Sequence, residues 1–207
     1  MRHLFLLAAL FCACISYAQI RVQERLPKSK TGFALTTAKT RAKIYYDVND
    51  ALVIKRSAEL FARDIHMVTG QKPELIQKRE RAKALVIVGT IEKNQWICEL
   101  AQKGKIDIRP LQGAWERYLI QTVDNPSPGV AKALVIAGSD RRGAAYGLFS
   151  ISEMMGVSPW SWWGDVPVKT HKALYVDAPP TYSKTPSVKY RGIFLNDEDW
   201  GLKPWAA

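Results

Sequence analysis

Two stretches of the chain share one pattern, in which an uninterrupted apolar run ends in glycine and a hydroxyl residue. The first is Ala84-Leu-Val-Ile-Val-Gly-Thr90, the second is Ala133-Leu-Val-Ile-Ala-Gly-Ser139, and a helical pattern follows each. Uninterrupted runs rich in β-branched residues are typical of strands that are buried on both faces. The glycine allows the chain to turn tightly into the following helix. The pattern therefore predicts a central β-sheet covered by helices on at least one side.

Three segments of the chain are predicted to be helices. In the first, apolar residues recur at three- and four-residue spacing, Asn49 or Asp50 can cap its start, and Gly70 can end it. The third has an apolar face that includes Phe149. The three predicted helices are residues 50–69, 94–103 and 142–155.

Shorter strand patterns lie between these helices. Asn125-Pro-Ser-Pro-Gly129 has the composition of a turn. The predicted short strands are residues 33–37, 42–47, 106–108 and 118–123. Together with the two apolar runs they predict an α/β fold, an α+β sandwich in which helices pack on a mixed sheet. This domain is expected to occupy residues 33–180, after a polar lead-in at 19–32.

Residues 1–18 have the layout of a secretory signal peptide. A basic start at Arg2 leads into an apolar run from Leu4 to Ile15, and Ser16-Tyr17-Ala18 provides a small-residue exit. The apolar run of about a dozen residues is shorter than the ~20 residues that a membrane-spanning helix needs. We expect cleavage before Gln19 and a secreted or periplasmic mature protein. A lipoprotein anchored at Cys14 is the alternative.

The cysteines and histidines indicate neither thiol nor metal chemistry. Two of the three cysteines, Cys12 and Cys14, lie in the leader, so the mature chain keeps only Cys98 and forms no internal disulfide. Cys98 lies in a helix-like stretch, where an unpaired cysteine is usually a small buried hydrophobe. His66 and His171 lack metal-ligand spacing. The sequence indicates no metal and no organic cofactor.

The chain is strongly basic, with a net charge of +11, to which the leader contributes only Arg2. The basic residues are spread through residues 21–41, 72–83 and 169–191 and do not line one helix with aromatic residues between them. This distribution argues against nucleic acid as a partner. In a secreted protein such charge favours acidic partners, of which anionic polysaccharide is one. Solubility alone is the simpler explanation of surface lysines.

A glycine-rich loop, Gly138-Ser-Asp-Arg-Arg-Gly143, links a predicted strand to a predicted helix, where anions can bind. It lacks the Lys-Ser or Lys-Thr of a phosphate-binding P-loop and the Gly-x-Gly of a dinucleotide site. Two interpretations remain for the loop. Ser139 or Asp140 caps the helix while the arginines are solvated, or Arg142, with Arg141, binds a substrate carboxylate in bidentate fashion. Arg142 is therefore a candidate substrate-binding residue.

Three tryptophans, Trp160, Trp162 and Trp163, lie close to one another and to Asp165. Flat amphipathic rings beside carboxylates suit a sugar-binding site. Burial at a seam between domains is the alternative, and we expect at least one of the three rings to be buried there. Trp163 is the candidate for lining a sugar cleft.

Several short motifs in the C-terminal half belong together. They include Ala137-Gly-Ser-Asp-Arg-Arg-Gly143, Gly156-Val-Ser-Pro-Trp160, Asp165-Val-Pro-Val168, Lys189-Tyr-Arg-Gly-Ile-Phe194 and Asn196-Asp-Glu198. As a set they resemble the N-terminal region of glycoside hydrolase family 115, whose members are xylan α-1,2-glucuronidases. The resemblance is dense over residues 133–200 and looser before them, where only the order of elements agrees.

The resemblance implies an N-terminal α/β domain followed by a catalytic (β/α)8 barrel. Residues 181–207 would be the linker and the start of that barrel, with Arg191 to Asn196 as its first strand. Because such a barrel needs about 250 residues, we expect the chain to end before the barrel is complete. Side chains at the C-terminal ends of barrel strands face the active site. Asn196 and Asp197, together with Glu198, are therefore candidate substrate-binding residues, and helix capping is their alternative role.

The activity that the resemblance implies is removal of glucuronic acid, or its 4-O-methyl form, from glucuronoxylan or its oligosaccharides. Inverting hydrolysis needs two carboxylates ~6.5–9.5 Å apart, which the adjacent Asp197 and Glu198 cannot supply. The catalytic acid and base are expected beyond Ala207, and the fragment alone is expected to be inactive. A non-catalytic carbohydrate-binding or envelope protein that uses the tryptophan loop is the alternative function. A different barrel glycosidase with the same N-terminal architecture is a third.

Overall fold

A computed structural model describes residues 19–192 and 194, apart from the side chain at position 162. The strands are β1 (Arg21–Gln23), β2 (Gly32–Thr36), β3 (Lys43–Tyr46), β4 (Leu75–Ile76), β5 (Ala82–Thr90), β6 (Tyr118–Ser127), β7 (Val130–Gly138), β8 (Leu174–Asp177) and β9 (Thr181–Tyr182). The helices are α1 (Leu52–Thr69), α2 (Gln95–Gln102), a 3-10 helix (Arg109–Leu111), α3 (Arg141–Met154) and α4 (Trp160–Trp163).

The largest element is a six-stranded mixed sheet in the order β4-β3-β5-β7-β6-β9. Strands β3, β4, β5 and β7 run parallel to one another, whereas β6 is antiparallel to both β7 and β9. A second, three-stranded antiparallel sheet has the order β1-β8-β2. The predicted α/β fold with helices on a mixed sheet is confirmed.

The two repeated apolar runs form neighbouring parallel strands, β5 and β7. Side chains of β5 alternate between two cores: Val86 and Val88 lie in one, Leu85 and Ile87 in the other. The first core contains side chains of α1, α3 and the small sheet, and the second contains those of α2. Because both faces of the large sheet are covered, every side chain of the run is buried, as the uninterrupted pattern predicts.

Helix α1 begins differently from the prediction. Ala51 precedes its first residue without any side-chain cap, so the prediction that Asn49 or Asp50 caps the helix is wrong. The Asp50 carboxylate instead accepts hydrogen bonds from the backbone N–H of Ala51 (2.8 Å) and of Thr90 (2.7 Å). It therefore joins the start of α1 to the end of β5. Gly70 ends the helix as predicted, with a φ of 70° in the left-handed region that favours glycine.

Two segments between α2 and β7 also differ from the prediction. Residues 106–108 form no strand and lead into the 3-10 helix Arg109–Leu111, whose central proline has no N–H to donate. The prediction of a strand there is wrong because the apolar residues of this run fill the core without pairing. The predicted turn at 125–129 is shorter than expected, because β6 continues to Ser127 through an irregularity after Asp124.

Helix α3 packs on the large sheet through small and apolar residues, including Ala144, Leu148 and Ile151. Phe149 was predicted on this buried face, but its side chain is 37% exposed at the edge of the helix. The prediction is wrong for this residue because small residues, including Gly147, bring the helix axis close to the sheet. A Cβ on Gly147 would lie only 2.6 Å from Cγ2 of Ile136.

Hydrogen-bonded strands lie outside the predicted domain boundaries of 33–180 at both ends. Strand β1 pairs with β8, and the Thr31 hydroxyl donates to the Asp177 carboxylate at 2.5 Å. Strand β9 pairs with β6. Positions 193, 195 and 196 of the predicted first barrel strand, Arg191 to Asn196, lie outside the described residues, and the described positions 191, 192 and 194 are not in a strand. Within residues 19–192, no helix has the length and apolar character needed to cross a membrane.

Candidate functional site

The parallel strands of the large sheet end along one edge, which we call the carboxyl edge. In open α/β sheets this edge is where ligands usually bind. Asp47 follows β3, Thr90 ends β5, and Ser139 follows β7, and all three residues are buried. The polar groups of these loops therefore lie where a ligand would be expected to bind.

The loops after β3 and β5 are closed by their own hydrogen bonds. Asp50 accepts from the backbone N–H and, at 3.1 Å, the hydroxyl of Thr90, while the Asn94 side chain accepts from the backbone N–H of Ile97 at 3.1 Å. A Cβ on Gly89 would lie 2.4 Å from Nδ2 of Asn94 and 2.8 Å from Oδ2 of Asp50. These side chains therefore join strand ends to helix starts and fill the space that a ligand would need.

The loop after β7 is closed in a similar way. Asp140 precedes α3, and its carboxylate accepts from the backbone N–H groups of Arg142 (2.9 Å), Gly143 (2.8 Å) and Glu116 (2.7 Å). A Cβ on Gly138 would lie 2.2 Å from the backbone nitrogen of Ala144. The N-terminus of α3 is thus occupied by a carboxylate of the chain itself, which supports the interpretation that Asp140 caps the helix.

Beside this loop lies a cluster of charged side chains centred on Glu116, which we call the Glu116 clamp. Glu116 directly precedes Arg117 and β6, has a φ of 56°, and is 5% exposed. One of its carboxylate oxygens lies 3.0 Å from Nη1 of Arg142, and the other accepts a hydrogen bond from Nη2 of Arg191. The clamp therefore joins α3 to the segment that follows β9.

Aromatic rings support both arginines of the clamp. Nη2 of Arg142 donates to the Tyr146 hydroxyl at 2.9 Å, and the Arg191 guanidinium lies 5.9 Å from the centre of the Trp115 ring. The hydrogen bond to Tyr146 raises the pKa of Arg142, and the bond to Glu116 raises the pKa of Arg191. Both guanidinium groups therefore stay charged across the working pH range.

The chemistry of the clamp is that of positioning, not of bond cleavage. A cavity of about 240 Å³ lies beside it, lined in part by Arg141, Lys189 and Tyr190. The two carboxylates at this cavity, Glu116 and Asp140, are both engaged by groups of the chain. Glycoside hydrolysis needs two available carboxylates. The clamp instead fixes residues 188–191 against the α/β domain.

The candidate residues from the sequence have different locations. Arg142 lies in the clamp, where it pairs with Glu116 and leaves its side chain 48% exposed. Trp163 lies in α4, and it is 61% exposed. Asn196, Asp197 and Glu198 lie outside the described residues. The structure therefore describes only two of the five candidates, Arg142 and Trp163, which lie in different helices, and the roles of all five stay predictions.

The tryptophan loop forms the short helix α4. Trp160 and Trp163 are 66% and 61% exposed. Burial of at least one of the three rings was expected, and the two rings that the structure describes are both largely exposed. A cavity of about 510 Å³ lies next to α4, lined by residues that include Asp64, Tyr146, Phe149 and Ser161.

Cys98 is half-buried in α2, where its sulfur lies 3.2 Å from the carbonyl oxygen of Ile91. Burial raises the pKa of its thiol, which disfavours the reactive thiolate. Among residues 19–192 and 194, no group of three or more His, Cys, Asp or Glu side chains is arranged to hold a metal ion.

Sequence reasoning missed Glu116 and the role of Arg191. Glu116 lies in Gly113-Ala-Trp-Glu-Arg117, a stretch with no motif, and its partners are far away in the chain. The only sequence feature that could have pointed to Glu116 was the neighbouring pair Arg141-Arg142, because two adjacent cations favour a nearby carboxylate. Arg191 belonged to a recognised motif, but nothing in that motif indicated its partner.

Comparison with known proteins identifies the family of the chain. The sequence model of glycosyl hydrolase family 115 matches residues 183–207. The structure is similar to a solved family 115 4-O-methyl-α-glucuronidase with specificity for decorated arabinogalactans, with 33% sequence identity and a TM-score of 0.65 over 84% of this chain. The chain belongs to glycoside hydrolase family 115.

The chain covers only 21% of the length of that family 115 relative. A β-N-acetylhexosaminidase of family 20 from Streptomyces coelicolor A3(2) is 13% identical over 82% of this chain and 25% of its own, with a TM-score of 0.40. A similarity this low carries no argument about this protein. No curated protein matches the chain significantly in sequence.

Proposed function

We propose that the chain is the N-terminal part of a glycoside hydrolase that removes α-linked glucuronic acid, or its 4-O-methyl form, from a plant polysaccharide. The observation that carries this proposal is the 33% identity over 84% of the chain to a family 115 glucuronidase. The family match at residues 183–207, which follow β9, also supports it. The polysaccharide is a glucuronoxylan or an arabinogalactan.

In this proposal the α/β domain positions the catalytic part and does not itself cleave the glycosidic bond. Residues 33–180 form the accessory domain, and residues 181–207 form the linker and the start of a (β/α)8 barrel. The Glu116 clamp holds the chain at Arg191, the first residue of the segment that would become the first barrel strand. We place the acid and base of an inverting mechanism in the part of the family 115 relative's length that this chain does not cover.

The test compares the whole protein that contains this chain with residues 19–207 alone. Each is incubated with 4-O-methylglucuronoxylan and with a glucuronidated arabinogalactan, and released uronic acid is measured by anion-exchange chromatography. The whole protein should release it from at least one polymer, and residues 19–207 alone should release none. Early NMR spectra should show the β-anomer as first product, because inversion of an α-linkage gives that anomer. No release by the whole protein would refute the proposal.

Asn196, Asp197 and Glu198 are proposed to contact the substrate, since side chains at the ends of barrel strands face the active site. In the whole protein, Asp197→Asn should lower kcat/KM about tenfold or more, the usual scale for losing one charged contact to substrate. Glu92→Gln, a change at an exposed carboxylate in the loop after β5, is the control. Equal kcat/KM values for the two variants would remove Asp197 from the site.

The leader at residues 1–18 is proposed to direct the protein to the periplasm or out of the cell. N-terminal sequencing of the mature protein should begin at Gln19. A mature protein that begins at Cys14 and carries lipid would support the lipoprotein alternative instead, and an intact leader would contradict both.

A further inference from the structure

A separate basic feature lies at the end of the large sheet opposite the carboxyl edge. The first residues of β5 and β7, the turn between β6 and β7 and the end of α2 surround an open groove of about 770 Å³. Four cationic side chains line what we call the basic groove: Arg81, Lys83, Lys103 and Lys105. None of the residues that line it in the described part of the chain is acidic or aromatic.

The acidic residues near the basic groove do not form ion pairs with its four cations. None of these cations forms an ion pair within residues 19–192 and 194. Acidic residues nearby in sequence pair with other cations: Glu80 with Lys43, Glu99 with Arg79, and Asp124 with Lys132. The groove therefore carries a net positive charge, which attracts anions even though Glu99 is close enough to Lys103 to interact with it through space.

Two of these cations are held in place by the turn between β6 and β7. The Lys105 ammonium group donates a hydrogen bond to the carbonyl oxygen of Asn125 and lies 3.4 Å from that of Asp124. Gly129 has a φ of 84°, and a Cβ there would lie 2.9 Å from Cγ of Arg81, so glycine allows the Arg81 stem to lie against the turn. Side chains that are already ordered lose less entropy when they bind a ligand.

We propose that the basic groove binds a polysaccharide that carries carboxylate groups. Lysine and arginine form charge-assisted hydrogen bonds with carboxylates. Pro126, Pro128 and the aliphatic stems of the basic side chains provide apolar surface for the CH groups of sugar rings. Single-stranded nucleic acid would require aromatic rings for base stacking, and the lining residues of the groove include none. This inference concerns binding alone and rests on the proposed function only for the choice of polymer.

The experiment measures binding of the purified chain to 4-O-methylglucuronoxylan by isothermal titration calorimetry. The matched polymer is the same glucuronoxylan after chemical reduction of its carboxyl groups, which removes the charge and keeps the backbone. We expect binding to the native polymer, much weaker binding to the reduced one, and loss of affinity as salt is added, because exposed charges are screened within about 10 Å at 0.1 M salt. Equal affinity for the two polymers, or no binding to either, would overturn the proposal.

Charge-matched variants locate the binding to the groove. The triple variant Arg81→Gln, Lys83→Gln, Lys103→Gln should lower affinity about tenfold or more. The control Lys28→Gln, Lys39→Gln, Lys72→Gln removes the same charge from exposed positions that do not line the groove, and should change affinity less than about twofold. Equal losses in the two variants would overturn the proposal. Tighter binding to a DNA duplex than to glucuronoxylan would also overturn it, in favour of nucleic acid.

The outcome is independent of catalysis. If the whole protein fails to release uronic acid but the basic groove still binds native glucuronoxylan, the proposed function fails and the groove remains. If the whole protein releases uronic acid but the basic groove does not bind glucuronoxylan, the proposed function stands and the proposal for the groove fails.

Discussion

Glu116 shows how much one buried residue can contribute to the arrangement of the chain. Its two carboxylate oxygens engage Arg142 on α3 and Arg191 after β9, which are separated from it by long stretches of sequence. A buried carboxylate is tolerated because both oxygens have cationic partners. Without it, two guanidinium groups would face one another with no counter-charge.

Glu116→Gln should destabilise the folded chain by about 1–3 kcal/mol, which is below the cost of breaking a fully buried pair because both arginines are partly exposed. The midpoint of urea unfolding measures the loss. Glu153→Gln, at an exposed carboxylate of α3, is the control and should stay within about 0.5 kcal/mol of the native chain. If the two variants are equally stable, the clamp does not contribute to folding.

Asp64 is a residue whose charge works against the fold. It is 4% exposed in α1, and burial raises the pKa of its carboxyl despite Arg63 at 3.7 Å. Because the folded state then holds this proton more tightly than the unfolded state, the stability associated with Asp64 falls as pH rises above about 4.

Asp64→Asn should therefore raise the free energy of unfolding at pH 7, and the gain should shrink as the pH falls through the raised pKa of the native carboxyl. Unfolding in urea at several pH values measures this difference. Asp165→Asn, at an exposed site, should show no such trend. A loss of stability at pH 7 in Asp64→Asn would mean that the charge has a favourable partner.

At the scale of elements, α3 depends on close approach to the backbone before β6. A Cβ on Gly143 would lie 2.2 Å from the carbonyl oxygen of Arg117, which belongs to the backbone and cannot move aside cheaply. In most helices, replacing glycine by alanine gains about 1 kcal/mol. At Gly143 the steric clash with the carbonyl oxygen of Arg117 costs more free energy than alanine gains as a better helix former.

Gly143→Ala should destabilise the chain by more than about 2 kcal/mol, within the range of overpacked core substitutions. Urea unfolding again gives the value. Glu153→Ala changes an exposed position of the same helix and should have an effect within about 0.5 kcal/mol. A stabilised Gly143→Ala variant would show that α3 can move away from the sheet.

Elements with strong periodicity were predictable from the sequence, and contacts between distant segments were not. The apolar runs of β5 and β7 and the stop at Gly70 follow from local composition, and the structure has them where expected. Residues 106–108 were mistaken for a strand because a short apolar run is equally compatible with packing without pairing. The Glu116 clamp depends on residues that only the fold brings together, so no spacing rule could reveal it.

At the scale of the whole molecule, the polar stretch at 19–32 is part of the folded body. Ile20 is 7% exposed in the first core, β1 pairs with β8, and Thr31 bonds to Asp177. Composition alone made this stretch look like a lead-in, because only one of its residues is both apolar and deeply placed in that core. The pairing of β1 with β8 attaches residues 19–32 to the domain, and their composition does not predict it.

A chain that begins at Phe33 should be less stable than one that begins at Gln19 by at least about 2 kcal/mol, the scale of burying one large aliphatic side chain. Thermal and urea unfolding of the two chains measure the difference. Equal unfolding midpoints would show that β1 contributes nothing to the fold.

The two outermost strands of the large sheet, β4 and β9, have only two residues each. Long, exposed border strands offer unpaired N–H and C=O groups to other molecules and promote aggregation, whereas very short ones offer little to pair with. Strands β4 and β9 themselves thus offer few N–H and C=O groups to which another copy of the chain could add a strand at high concentration.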